Sequence, residues 1–116
     1  MDASMRPPTI LVLDAGAPSA LLREVCAGAE EQGVPVSVTD AAGDATQLAF
    51  AAAGRSRLQV GIGLSGDGTV AVHHATLPED SPPLCLPRDA QAAEWRLAGQ
   101  LAARMVTRLP LPRMAG

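Results

Sequence analysis

The order of apolar and polar positions in the first third of the chain predicts a strand, a helix and a second strand. Residues 10–13 form a continuous apolar run, which is typical of a parallel strand covered on both faces. Pro18 suits the first turn of a helix, and Gly33 suits a left-handed cap at its end. The helix has an apolar stripe formed by Leu21, Leu22, Val25 and Ala29. We therefore expect this stripe to pack on the sheet.

A second stripe on the same helix combines small residues with carboxylates. It consists of Ala20, Glu24, Ala27 and Glu31, which share a face because seven residues make almost two turns. The stripe is predicted to face outward. Taken alone, Glu30 and Glu31 are most simply interpreted as a solvated helix end.

The next elements continue the same order. Residues 34–39 alternate like a second strand, and Asp44, with Gln47 three residues later, predicts the start of a second helix. Gly54 is expected to end that helix. Strands and helices in this order imply a parallel sheet.

The pattern changes after the second helix. Residues 58–64 and 69–74 predict two strands separated only by the SGDG sequence of residues 65–68. A parallel connection needs about a dozen residues, so these strands must form an antiparallel hairpin in a mixed sheet. Residues 84–86 predict a short fifth strand.

A long amphipathic helix is predicted to close the chain. We expect Asp89 to cap it and Pro110 and Pro112 to end it. Its apolar stripe is Leu97, Leu101, Met105 and Leu109, widened by Trp95, Ala98, Ala102 and Val106. The chain thus predicts one α/β domain over residues 1–116, with a core at about 9–109 and loose ends at 1–8 and 110–116.

Composition and charge narrow the class of protein. With 47% hydrophobic and 18% charged residues, a chain of 116 residues is expected to fold as one packed domain. A formal net charge of −3 disfavours non-specific binding to nucleic acid. No apolar run approaches the roughly 20 residues of a membrane span, and residues 1–8 lack the apolar centre of a signal peptide. Cys26 and Cys85 lack CxxC spacing, so we expect buried free thiols in a reducing cytoplasm.

Two motifs could bind a ligand, and each has a structural interpretation that we favour. Residues 61–66 match GxGxxG, but a strand rather than a helix follows them, so they are interpreted as hairpin glycines. His73 and His74 point to opposite faces of a strand and cannot chelate one ion together. We expect one of these histidines to be buried and the other exposed.

No catalytic residue is predicted. Asp14 lies at the carboxyl end of the first strand, where open α/β sheets bind ligands, but no acidic pair or distant lysine completes a site. Ser19 and Ser65 have no partners in a triad pattern. These residues leave a stand-alone small-molecule module, with its ligand at Asp14, as one alternative.

Three stretches together resemble one family. They are LLREVCAGAEEQGVP at residues 21–35, VGIGLSGDGTVAVHHATLPEDSPPL at 60–84 and RLAGQLAARMVTRLP at 96–110. The combination resembles the small subunits of diol/glycerol dehydratase reactivases, which belong with the medium subunits of adenosylcobalamin-dependent dehydratases. The resemblance covers about residues 9–109. It implies a three-layer α/β/α fold, anticodon-binding-domain-like, with a five-stranded mixed sheet whose fourth strand is antiparallel.

The resemblance implies a chaperone-like role without catalysis. The expected partners are a large reactivase subunit that binds and hydrolyses ATP, in a heterotetramer, and the dehydratase large subunit during exchange. The chain would mimic the dehydratase medium subunit so that damaged cobalamin is released. A second alternative is a short medium-subunit-like component of the dehydratase itself. The location is expected to be cytoplasmic, and the resemblance leaves open a microcompartment and the choice between diol and glycerol dehydratase.

The resemblance also assigns a role to Glu31. At the matching position, a small-subunit glutamate helps to coordinate Mg²⁺ or Ca²⁺ held mainly by the large subunit, and no cofactor is expected in this chain alone. Ala20, Glu24 and Ala27 would border the same contact. A helix C-terminus is unfavourable for an anion, so a partner's cation would explain a carboxylate at this place.

Overall fold

The alternation of strands and helices is present in the computed structural model, which describes residues 7–108. The elements are β1 Ile10–Asp14, α1 Ser19–Glu31, β2 Val36–Asp40, α2 Ala45–Arg55, β3 Val60–Leu64, β4 Val70–His74, β5 Leu84–Leu86 and α3 Ala92–Arg108. None of the helices in this range has the length and apolar character needed to span a membrane. The expected loose ends, apart from Pro7 and Pro8, and the predicted helix end at Leu109 and Pro110 lie outside the described residues.

The five strands form one mixed sheet with the order β2-β1-β3-β4-β5. β1 pairs in parallel with β2 and β3, whereas β4 runs antiparallel to β3 and β5. The predicted hairpin and the antiparallel fourth strand are therefore confirmed. Helices α1 and α3 cover one face of the sheet and α2 covers the other, which gives the expected three layers.

The sheet divides the core because successive residues of a strand point to opposite faces. Ile10 and Val12 of β1 lie in the larger cluster, which includes the buried residues of α1 and α3. Leu11 and Leu13 pack against α2. All five residues of β1 are buried, as the continuous apolar run predicted.

The α2 layer lies close to the sheet because β3 carries two glycines on that face. A Cβ at Gly61 would lie 2.3 Å from the backbone nitrogen of Ala53, and one at Gly63 would lie 2.1 Å from the carbonyl oxygen of Ala45. Ordinary contacts begin at 3.4 Å. Gly61 and Gly63 of the GxGxxG motif therefore serve helix–sheet packing, whereas Gly66 lies in the hairpin turn. A hairpin rather than a helix follows Gly66, so the structure agrees with the rejection of a dinucleotide site.

The end of α1 follows the predicted chemistry. Gly33 has a φ of 82°, and its N–H donates to the carbonyl of Glu30 at 2.9 Å. The N–H of Val34 donates to the carbonyl of Ala29 at 3.3 Å. This pair of bonds is the Schellman pattern, which turns the chain toward β2.

The ends of α2 agree with the prediction on one side only. The carboxylate of Asp44 accepts from the N–H of Gln47 at 2.8 Å, which confirms the predicted cap. Gly54 does not end the helix, because α2 continues to Arg55 and Ser56 forms the C-cap in an extended conformation. Gly54 is not among the glycines with positive φ, so it stays helical.

The start of α3 differs from the prediction, whereas its buried side agrees in part. Asp89 is not the cap, since the helix begins at Ala92 and the Glu94 carboxylate accepts from the N–H of Gln91 at 2.8 Å. Leu97, expected in the core, is 54% exposed. Ala98 and Ala102 of the predicted stripe are fully buried, as is Ala103, and the predicted residues Trp95, Met105 and Val106 pack against the same cluster. Small residues face the core here because α3 packs tightly against α1, and Leu97 is left on the outer side.

Candidate subunit interface

The stripe predicted to face a partner runs along the border between α1 and α3. Ala20 and Glu31 are exposed, whereas Glu24 and Ala27 are half-buried. The expectation that the whole stripe faces outward is wrong, because both glutamates contact Arg96 of α3. Part of the stripe is thus used within the chain, and its exposed part remains accessible.

Arg96 joins the two glutamates. Its Nε and Nη2 each donate to Oε1 of Glu24 at 2.9 Å, and its Nη1 donates to Oε2 of Glu31 at 2.5 Å. Gln100, one turn further along α3, donates from Nε2 to Oε1 of Glu31 at 2.7 Å. These four residues are named the Arg96 cluster below. Both carboxylate oxygens of Glu31 therefore accept a hydrogen bond from α3.

Two helical glycines bring α1 and α3 close enough for the Arg96 cluster to form. A Cβ on Gly99 would lie 1.9 Å from the carbonyl oxygen of Val25, and one on Gly28 would lie 2.1 Å from the carbonyl oxygen of Arg96. The backbones of the two helices are therefore in direct contact. Sequence reasoning missed this crossing and the cluster. The signal that could have found them is Gly99 itself, because an isolated glycine inside a helical pattern often has a packing reason.

The contacts of the Arg96 cluster favour the charged forms of Glu31 and Arg96. The hydrogen bond from Gln100, followed by the bond and the charge of Arg96, keeps the pKa of Glu31 below its usual value. The hydrogen bonds to Glu24 and then to Glu31 raise the pKa of Arg96. Arg96 therefore supplies a positive charge from within the chain, which is a second explanation for a carboxylate at this helix end beside a partner's cation.

A divalent cation would find only part of a binding site in this chain. Across residues 7–108, no group of three or more His, Cys, Asp and Glu side chains is arranged to hold a metal ion. Mg²⁺ and Ca²⁺ take oxygen ligands and need about six of them, so Glu31 could supply one and a partner the rest. The Glu31 carboxylate fits as one ligand, because it is an exposed oxygen donor of the kind that these cations bind.

The two histidines of β4 are both buried, so the expectation that one is exposed is wrong. The ring of His73 contacts Phe50 edge to face at 5.2 Å between centroids, and its Nε2 donates to the carbonyl of Glu79 at 3.0 Å. Nδ1 of His74 accepts from the N–H of Thr76 at 3.1 Å. Burial, followed by the neighbouring His73, lowers the pKa of His74. These contacts support a structural role for both.

The polar groups at the carboxyl ends of β1 and β3 are used in turns. Oδ1 of Asp14 accepts from the N–H groups of Gly16 and Ala17 at 3.0 and 2.9 Å. The hydroxyl of Ser65 donates to the carboxylate of Asp67 in the β3–β4 hairpin. These bonds fix the two connections and use one carboxylate oxygen of Asp14 in the turn after β1.

The two thiols differ in exposure. Cys26 is half-buried on α1, whereas Cys85 is exposed on β5, so the expectation that both are buried is wrong. Burial, followed by the charges of Glu30 and Asp14, raises the pKa of the Cys26 thiol. A raised pKa disfavours the thiolate, which is the nucleophilic form. Cys26 is therefore poorly suited to nucleophilic chemistry.

Comparison with known sequences relates the chain to a group of subunits. The model of a family described as dehydratase medium subunit matches residues 6–112. A probable glycerol dehydratase-reactivating factor small subunit from Citrobacter freundii is 41% identical over 92 residues, which cover 78% of this chain and 79% of that protein. A propanediol dehydratase-reactivating factor small subunit from Salmonella typhimurium is 33% identical over 111 residues, 95% of each chain.

Two solved structures share the fold over nearly the whole chain. A glycerol dehydratase reactivase superposes with a TM-score of 0.84 at 37% identity, covering 92% of this chain and 98% of that one. A diol dehydratase-reactivating factor complexed with ADP and Mg²⁺ gives a TM-score of 0.80 at 31% identity, covering 93% and 100%. The expected fold class is therefore confirmed.

Proposed function

Since this chain belongs to the dehydratase medium subunit family, with small subunits of diol and glycerol dehydratase-reactivating factors as its relatives, we propose that it acts as the small subunit of such a factor. The observation that carries the proposal is the extent of the similarity. It reaches 95% of the Salmonella typhimurium subunit and 98% of the glycerol dehydratase reactivase chain. A small subunit implies a large one, so the chain is expected to work in a complex.

The proposed action is an exchange of subunits. The matching family is described as dehydratase medium subunit, whereas the similar proteins are small subunits of reactivating factors. This shared fold supports the idea that the chain takes the place of the medium subunit on the dehydratase large subunit. The dehydratase then opens, damaged cobalamin leaves and intact coenzyme enters.

The chain is proposed to contribute no catalytic group, and ATP binding and hydrolysis are assigned to the large subunit. Within residues 7–108, the polar groups at the strand ends are used in turns and both histidines are buried, which supports a non-catalytic role. The ADP and Mg²⁺ of the related diol dehydratase-reactivating factor support nucleotide and metal binding in the assembled factor.

Glu31 is proposed as the ligand that this chain offers to a Mg²⁺ or Ca²⁺ ion held mainly by the large subunit. Ala20, Glu24 and Ala27 are proposed to border the contact. The exposure of Glu31 at the end of α1 and its lowered pKa support this role. We further propose a heterotetramer of large and small subunits in the cytoplasm.

Association of the purified chain with a candidate large subunit tests the proposal. We expect calorimetry to detect a complex that tightens in Mg²⁺, and Glu31→Gln to weaken the association in Mg²⁺ by about tenfold or more. Glu30→Gln is the matched control, because it removes the same charge from the neighbouring exposed residue outside the Arg96 cluster. Equal affinities for both variants and wild type would contradict the role of Glu31.

A dehydratase that carries inactive cobalamin tests the exchange itself. Release of cobalamin is expected only when this chain, the large subunit and ATP are all present. Stable incorporation of the chain into an active dehydratase would instead favour the medium-subunit-like alternative, which the description of the family also suits. Binding of a small molecule by the chain alone would favour a stand-alone module.

A further inference from the structure

We propose that Arg96 is the counter-ion of Glu31 in the free subunit, and that a divalent cation brought by the partner displaces Arg96 from Glu31. This inference rests on the proposed function, because it concerns how Glu31 becomes available at the subunit contact. It follows from the geometry of the Arg96 cluster. Three features of that geometry favour an exchange of cations at Glu31.

The first feature is the unequal sharing of Arg96 between the two glutamates. Nε and Nη2 both donate to Glu24, while only Nη1 donates to Glu31. If Glu31 leaves, the guanidinium keeps an ion pair with the half-buried Glu24. Withdrawal of Glu31 therefore leaves Arg96 with an anionic partner at the α1–α3 border. Glu24 acts as the residue that retains Arg96.

The second feature is that the two carboxylate oxygens of Glu31 accept hydrogen bonds from different residues. Gln100 donates to Oε1, and Arg96 donates to Oε2. A carboxylate oxygen accepts more than one bond, so the neutral amide of Gln100 can stay in place while a cation binds at Oε2. Gln100 thus orients the carboxylate in both states, and the exchange concerns Oε2 alone.

The third feature is exposure. The side chains of Arg96 and Glu31 are 35% and 43% exposed in their ion pair. Exposed pairs are screened by solvent and salt and are weakly held. A divalent cation fixed by further ligands of a partner can therefore displace a single guanidinium N–H. The free chain keeps its carboxylate oriented without holding it tightly.

The Mg²⁺ concentration for half-maximal association with the large subunit tests the exchange. Arg96→Gln removes the competing cation, so the midpoint should fall by about two- to fivefold, the range expected for an exposed ion pair. In Glu24→Gln, Glu31 is the anionic partner that Arg96 keeps within the cluster. Arg96 should then compete more strongly with Mg²⁺ for Glu31, so the midpoint should rise. Arg55→Gln, at the end of α2 on the opposite face of the sheet, should leave the midpoint unchanged.

The opposite signs distinguish the exchange from a structural role. If the two substitutions only destabilise the protein, the Mg²⁺ midpoint should rise in both variants. Circular dichroism and association in EDTA measure such a loss of stability separately. If Arg96→Gln fails to fold, Glu24→Gln decides, provided that its circular dichroism and its association in EDTA match wild type; a midpoint that then does not rise would overturn the exchange. Shifts of the same sign, or none, would overturn the exchange. An unaltered Mg²⁺ dependence in Glu31→Gln would instead reject the proposed metal role of Glu31.

Discussion

Gly99→Ala should destabilise the protein although alanine is the better helix former. The added Cβ would lie 1.9 Å from the carbonyl oxygen of Val25, whereas ordinary contacts begin at 3.4 Å. The backbone nitrogen of Ala29 would be 2.9 Å away. These are backbone atoms of α1 and cannot rotate aside, so the two helices must separate by about 1.5 Å. A gap of that size removes much of the dispersion contact between them.

The magnitude follows from two opposing effects. Overpacking against a rigid neighbour costs about 3 kcal/mol at the upper end of its usual range. The change from glycine to alanine in a helix returns about 1 kcal/mol. The net loss of unfolding free energy is therefore about 2 kcal/mol, which lowers the melting temperature by roughly 8 °C in a domain of this size.

Gly54→Ala is the matched control. Gly54 lies in α2, and nothing is within 4 Å of the position of its Cβ. This variant should gain up to about 1 kcal/mol of unfolding free energy, because only the helix propensity changes. Urea unfolding followed by far-UV circular dichroism measures both variants. A Gly99→Ala protein as stable as wild type, or a difference between the two variants below about 1 kcal/mol, would refute the direct contact of α1 and α3.

Two further substitutions test other parts of the fold. Asp44→Ala removes the acceptor for the N–H of Gln47 and should cost about 1 kcal/mol in urea unfolding, whereas Asp44→Asn keeps an acceptor and should cost less; equal losses would contradict the cap. The pKa of His74 is lowered in the folded state, so its contribution to stability is present above pH 6.5 and is lost as the pH falls through the folded pKa. His74→Asn keeps an acceptor for the N–H of Thr76 and should flatten that pH dependence; an unchanged pH profile would show that His74 is not the group responsible.

Local sequence rules succeeded where the cause was local. The four-residue SGDG connection determined that β3 and β4 are antiparallel, because no crossover fits in that length. Asp44 and Gly33 were identified as helix ends because a cap depends on atoms within a few residues of each other. The same rules failed at Gly54, which was predicted to end α2. Gly54 does not have a positive φ and stays within the helix.

Tertiary contacts explain the larger errors. Periodicity identifies the faces of a helix, but it does not determine which face meets another element. Leu97 belongs to the predicted apolar stripe of α3 and is exposed, whereas Ala98 and Ala102 of the same stripe are buried at the tight crossing. Arg96 and Glu31 are 65 residues apart in sequence, and no local pattern connects them. Resemblance to a family selected Glu31, but its partners within the chain required the structure.

The Arg96 cluster depends on the close crossing of α1 and α3. Gly28 lies on α1 between Glu24 and Glu31, and the atom that excludes a Cβ there is the carbonyl oxygen of Arg96 itself. The backbone of Arg96 is thus fixed against α1 midway between the two carboxylates that its side chain binds. A separation of about 1.5 Å, as expected in Gly99→Ala, would lengthen contacts of 2.5 and 2.9 Å beyond the range of a good hydrogen bond. The glycines that make the helix pair tight are therefore also what allows one arginine to hold both glutamates.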